Sequence, residues 1–277
     1  MSEPGSGVID PEQPDERVLD GVIAEDMGED LIDRLRRVRH AEERRYRAEH
    51  PDEGLRERKR RLTRHLISDA ATAMFASRGF DAVKVSEIAD RVNVSMKTLY
   101  NYFPTKESMV LDDADELIEG LATALRDRQA GMSITVAFVG ALEANTDGFD
   151  LLDDELAAHV ATTFAEMVRQ TPTLHAYWLE LQDRIARVAA EQLALQAGTE
   201  PADPEPAIAG WALAGLVQVD MDSRVRHIRA GRRGAQLRDA VAGDVRRAAE
   251  LLETGLASLS RGTRTARPGG GGSHTIR

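Results

Sequence analysis

The chain has 277 residues, no cysteine and a formal net charge of −11. That length allows a sizeable core, and two domains are expected. Absence of cysteine excludes disulfides, thiolate catalysis and cysteine-ligated zinc and favours an intracellular location. No apolar run reaches the roughly 20 residues of a membrane span and no signal peptide is visible, so a cytoplasmic protein without membrane partners is expected.

Charge is unevenly placed along the chain. Met1 to Asp33 holds eleven carboxylates against Arg17 alone, whereas Arg34 to Arg64 holds thirteen Lys and Arg against six acids. Residues 1–54 are rich in Asp, Glu, Arg, Pro and Gly, and their few large apolar residues support at most one short helix. They read as a flexible acidic and basic extension.

From Arg58 the pattern changes. Leu62, Leu66, Ile67, Ala70, Met74 and Phe75 recur at helical spacing, and Gly79 ends the element. Two short helices follow. Ser86 can cap the first, whose inward face is Ile88, Ala89 and Val92, with the small Ala89 letting the next helix cross closely. Asn93 tolerates the left-handed conformation that a tight turn demands, Val94 plugs the corner, and Ser95 is a natural N-cap for the second helix. On that second helix Leu99 and Phe103 face the core with Val94. Met96, Lys97, Thr98, Tyr100 and Asn101 face outward, as a DNA-reading helix requires.

The residue types on that face suit DNA. Lys97 offers a cation to guanine or phosphate, Thr98 a methyl and a hydroxyl, and Asn101 a two-sided amide for adenine, while Tyr100 and Tyr102 can donate to phosphate. The basic run Arg56, Arg58, Lys59, Arg60, Arg61 and Arg64 lies directly before this unit, so Arg60 and Arg64 are candidate phosphate contacts. A solvated helix face is the plainer reading of the same charges.

Ile88-Ala89, Val94-Ser95, Thr98-Leu99-Tyr100 and Tyr102-Phe103 with Lys106-Glu107 resemble the signature of TetR-family transcriptional regulators. The resemblance covers the Arg58 helix to Glu107. It implies a three-helix DNA-binding domain over 55–105 with Ser86, Ser95, Met96, Lys97, Thr98, Tyr100, Asn101 and Tyr102 at the DNA. It also implies that Lys106, opening the fourth helix, grips phosphate with its amide and side chain. Many family members have Gly where this chain has Asn93 and Lys97. Asn93 keeps the turn, and Lys97 adds a charge to the reading face and becomes a candidate specificity residue.

Residues 106–261 read as long amphipathic helices with no strand pattern, so the fold class is all-α. Stop signals at Asp127 to Ser133, Asn145 to Asp153, Gln170 to Thr173, Ala197 to Pro206 and Ala230 to Gly234 divide this regulatory half into five or six helices. The helix opening at Lys106 is expected to run on through Val110, Ala114, Leu117, Leu121 and Leu125. Phe164, Met167, Tyr177, Trp178 and Leu181 are candidate lining for a small-molecule effector, although aromatics at helical spacing are more often plain core. Trp211 on one late helix and Val241, Val245, Ala248, Leu252 and Leu259 on the next are expected to form a homodimer interface. Residues 262–277, ending in a glycine run, read as a flexible tail.

The histidines fall in no metal-ligand spacing, and no nucleophile with its base, paired carboxylates or phosphate loop is recognisable. No metal, cofactor or enzymatic activity is expected. The reading is a repressor released from a palindromic operator by an apolar or acyl-type ligand. Asn101 to Glu107 is similar to a TetR subgroup that accepts acyl-coenzyme A. The alternative is an architectural or scaffold DNA-binding protein without ligand control.

Overall fold

The computed structural model describes residues 54–112, 114–144 and 155–255. Residues 1–53 of the amino-terminal extension, the tail, Leu259 and the whole of the expected break at 145–153 lie outside the described residues. Among these, the elements are helical: α1 Leu55–Arg78, α2 Val85–Arg91, α3 Met96–Tyr102, a 3-10 turn Glu107–Met109, α4 Ala114–Arg126, α5 Ile134–Ala144, α6 Glu155–Gln170, α7 Pro172–Ala197, α8 Pro204–Arg229 and α9 Gly234–Thr254. The sequence breaks explain the boundaries. Gly79 (φ 82) and Gly198 (φ 69) adopt left-handed φ values after α1 and α7, and proline sits in the first turn of α7 and α8, where its missing N–H costs nothing.

One continuous core joins α1–α3 to the later helices, running from Leu66 and Phe75 through Phe103, Leu125 and Phe138 to Leu213 and Val241. The α7–α8 hairpin is its densest part. Gly210 has no side chain because a Cβ there would run into the Ala186 carbonyl oxygen and crowd the Ala190 side chain. Near the middle of the same hairpin, Trp178 is buried and its indole N–H donates to Gln218 Oε1 at 2.8 Å.

A buried carboxylate ties α8 to α9. Asp244 accepts from Ser223, from Arg226 and from Arg247, and lies 2.8 Å from His227 Nε2. Arg232, in the turn between the helices, contacts His227 Nδ1. The ring therefore acts as a neutral tautomer, donating from Nε2 and accepting at Nδ1.

Two expectations about the regulatory half need correction. No single helix runs from Lys106 to Leu125: a 3-10 turn ends at Met109, and α4 starts afresh at Ala114 with Asp115 and Glu116 complementing the dipole of its first turn. The α9 stripe is also not a surface awaiting a partner. Val241 and Val245 are each 2% exposed because they pack into the chain's own core, and Ala248 and Leu252 are half-buried against that core. Large apolar side chains are exposed elsewhere, at Ile208 (69%) and Trp211 (52%) on α8, at Leu179 and Leu195 on α7 and at Val136 on α5.

Candidate nucleic-acid interface

Helices α2 and α3 form a helix-turn-helix whose corner is set by backbone geometry. Asn93 takes φ 53, Val94 N donates to Ala89 O at 3.0 Å and Asn93 N to Asp90 O at 3.2 Å. Asn is among the few non-glycine residues that adopt this conformation at low cost, so the residue and the turn agree. Ile88, Ala89 and Val92 beneath the corner are buried, as are Leu99 and Phe103 on α3. Packing on one side thus fixes which residues of α3 face outward.

Ser95 caps α3, its Oγ accepting from Thr98 N at 3.0 Å and lying 2.7 Å from Thr98 Oγ1. Ser86 does not cap α2. That helix starts one residue earlier, and the Lys84 amide donates to Glu87 Oε2 at 2.7 Å, leaving Ser86 exposed on the first turn. The Lys84 N–H, and after it the Arg78 guanidinium, hold the Glu87 carboxyl below its ordinary pKa. Arg78 bonds Glu87 at 2.9 Å and ties α2 to the end of α1.

Met96, Lys97, Tyr100 and Asn101 are exposed along α3, whereas Thr98 and Tyr102 are half-buried. The four exposed side chains lie on the side of α3 away from buried Leu99, with exposed Ser86 on the helix before it, whereas Tyr102 packs partly against the core. The first half of α1 adds cationic side chains, among which Arg56 and Arg60 are exposed.

Two candidate phosphate contacts are turned inward. Lys106 donates from Nζ to the Phe80 carbonyl and sits 4.2 Å from the Phe80 ring centroid and 5.4 Å from that of Phe75. Burial lowers its pKa, opposed by Asp81, Glu107 and Glu87. Arg64 donates from Nη1 to Tyr102 O and from Nη2 to Asp112 O, both at 2.9 Å. The chain pattern signalled two cations near DNA but carried no sign of these carbonyl partners, which are distant in sequence.

Comparison with known proteins bears on this unit directly. A family model described as bacterial regulatory proteins, tetR family, matches residues 67–112. The helix-turn-helix unit is therefore similar to that of TetR-family regulators. The chain is 33% identical over 145 residues to the HTH-type transcriptional regulator TcmR of Streptomyces glaucescens, covering 50% of this chain and 63% of that protein. It is 28% identical over 167 residues to the putative mycofactocin biosynthesis transcriptional regulator MftR of Mycobacterium tuberculosis, covering 60% of this chain and 81% of that protein. To the HTH-type transcriptional activator FasR of Mycolicibacterium smegmatis it is 34% identical over 91 residues, covering 30% and 42% respectively. The chain thus spans under two thirds of the length of TcmR.

Four of the five effector candidates of the regulatory half pack into or against the core. Trp178 and Leu181 are buried, and Phe164 and Met167 pack half-buried on the same core. Burial also raises the Tyr177 phenol above its ordinary pKa, with Arg184 opposing. A cavity of about 240 Å³ lies elsewhere, between α5, α8 and α9, lined by the apolar Leu142, Val241 and Val245 and by the charged Glu143, Arg238 and Arg246. No described helix is long and apolar enough to cross a membrane. Among the described residues no group of His, Asp or Glu is arranged to hold a metal ion.

Proposed function

We propose that the chain is a sequence-specific DNA-binding transcriptional regulator that represses from a palindromic operator. The observation that carries this reading is the exposed row Met96, Lys97, Tyr100 and Asn101 on a helix whose opposite side is locked by Leu99 and Phe103. Lys97 and Asn101 read base edges, while Ser86, Ser95, Thr98, Tyr100, Tyr102 and Arg60 position the unit on the backbone. Repression follows from occupying a promoter. The name of FasR shows that a similar unit also serves activation, so a promoter-reporter assay decides the sign.

A palindromic operator calls for two reading heads about 34 Å apart, hence a two-fold dimer. Ile208, Trp211, Ala212 and Gly215 fall on one stripe of α8, and large exposed apolar residues beside small ones suit close helix pairing between copies. This stripe replaces α9 as the proposed centre of the interface.

For control, the proposal is an apolar effector bound in the regulatory half near Phe164, Met167 and Tyr177, which opens the α6–α7 packing around Trp178. Titration of fatty acids and acyl-coenzyme A against Trp fluorescence and operator release tests it. The solid packing of Trp178 and Leu181 favours the competing reading, DNA binding without ligand control. Absence of both binding and release across chemically diverse apolar compounds establishes that second reading.

A further inference from the structure

Tyr102 and Asp112 mark the two ends of the connector that leads from the reading helix to the regulatory half. One guanidinium reaches both. Arg64 Nη1 donates to Tyr102 O and Nη2 to Asp112 O, each at 2.9 Å, and the guanidinium carbon stands 4.4 Å from the centroid of the buried Phe103 ring. Tyr102 O is at the carboxyl end of α3, where the helix dipole favours a cation. One turn further along α1, Ser68 Oγ reaches Met109 O at 3.5 Å, so the same face of α1 also holds the 3-10 turn between those ends.

We infer that Arg64 is a positioning residue, a fork that fixes the end of the reading helix relative to the start of α4, and not a phosphate contact. The inference rests on the DNA-binding reading above for its functional consequence. The planar guanidinium is what makes the brace possible. It donates in two directions while its face lies on an aromatic ring, and a lysine ammonium, a single point donor on a flexible stem, cannot bridge both carbonyls and stack as well. Arg64 comes from the middle of α1, where Ile67, Ser68 and Ala71 are buried, so the brace stands on a rigid base. On the regulatory side it lies within electrostatic reach of the Tyr177 phenol on α7.

Arg64→Lys and Arg64→Gln in the full chain provide the test, read by operator affinity as a function of salt and by amide hydrogen exchange. If Arg64 is the brace, both variants keep a cooperative fold and lose roughly tenfold or more in operator affinity, as expected when charged hydrogen bonds are removed. Lysine rescues little, the salt slope stays that of the wild type, and amides at the end of α3 exchange faster while those in the rest of α1 do not. A phosphate contact gives the opposite pattern: Lys retains affinity, and Gln lowers the salt slope by about one. That pattern overturns the inference, as does uniformly faster exchange throughout α1 or unchanged exchange at α3. If the wild type selects no operator, the DNA-binding reading fails instead, and the exchange measurement still decides whether Arg64 positions the helix.

Discussion

At the residue scale, α3 side chains proposed to meet bases differ in expected effect from those that only hold the helix in place. Lys97→Ala and Asn101→Ala should each cost about 1–3 kcal/mol per half-site at the cognate sequence and little at others, because base contacts carry the specificity. Binding titrations on operator and scrambled DNA show this, and an equal loss on both would assign the residue to the backbone. Ser95→Ala should cost about 0.5–2 kcal/mol of stability through its lost cap on Thr98 N, whereas Ser86→Ala should leave stability unchanged, since the Glu87 carboxylate serves the start of α2.

His227 is a second residue with a sharp expectation. Burial, then Arg232, Arg226 and Arg247, lower its pKa below 6.5, while the Asp244 carboxylate beside it is shared with Arg226 and Arg247. A proton on Nδ1 would oppose the Arg232 guanidinium. The unfolded chain therefore binds the proton more readily than the folded one. The neutral ring contributes its full stability above about pH 6.5, and that contribution falls away as pH drops through this value toward the lower folded pKa. His227→Gln should flatten the dependence of Tm on pH over that window, and an unaltered profile would mean that other groups set it.

Among the elements, the α7–α8 hairpin is the least tolerant of change. Gly210→Ala should destabilise by about 1–3 kcal/mol because the new methyl meets backbone and the helices must separate. Trp178→Ala should cost about 3–5 kcal/mol through the cavity it leaves, with its hydrogen bond to Gln218 also lost. Chemical denaturation measures both, and a near-neutral Gly210→Ala would show that the two helices have slack.

The helix breaks were legible because Gly, Pro and Asn act locally: the break expected at Asp127 to Ser133 coincides with the gap between α4 and α5. Asn93 and Ser95 were legible for the same reason. What the local pattern concealed was tertiary. The stripe Val241, Val245, Ala248, Leu252 has the spacing of a buried face, but spacing alone does not say whether the cover comes from the same chain or another. Arg64 read as a phosphate contact because its charge was visible, and Lys106 because the family resemblance implied it, while the carbonyls they serve lie at Tyr102, Asp112 and Phe80. The uninterrupted apolar pattern after Lys106 likewise hid the turn at Met109 that the Arg64 brace spans.

For the whole molecule, the proposed dimer is centred on the exposed Ile208 and Trp211 of α8. Trp211→Glu should convert a dimer to a monomer in light scattering at micromolar concentration while retaining helical content, and it should weaken binding to a full palindrome far more than to a half-site. A wild-type monomer would remove the α8 stripe as an interface. The central claim is selectivity for an operator, and selection of genomic fragments by the purified chain, followed by titration of the recovered site against scrambled DNA at physiological salt, measures it most directly. The account predicts a palindromic site bound about a thousandfold or more above scrambled sequence, with Lys97→Ala eroding that ratio. Equal affinity for all sequences, with a steep salt dependence and no recovered motif, would contradict it.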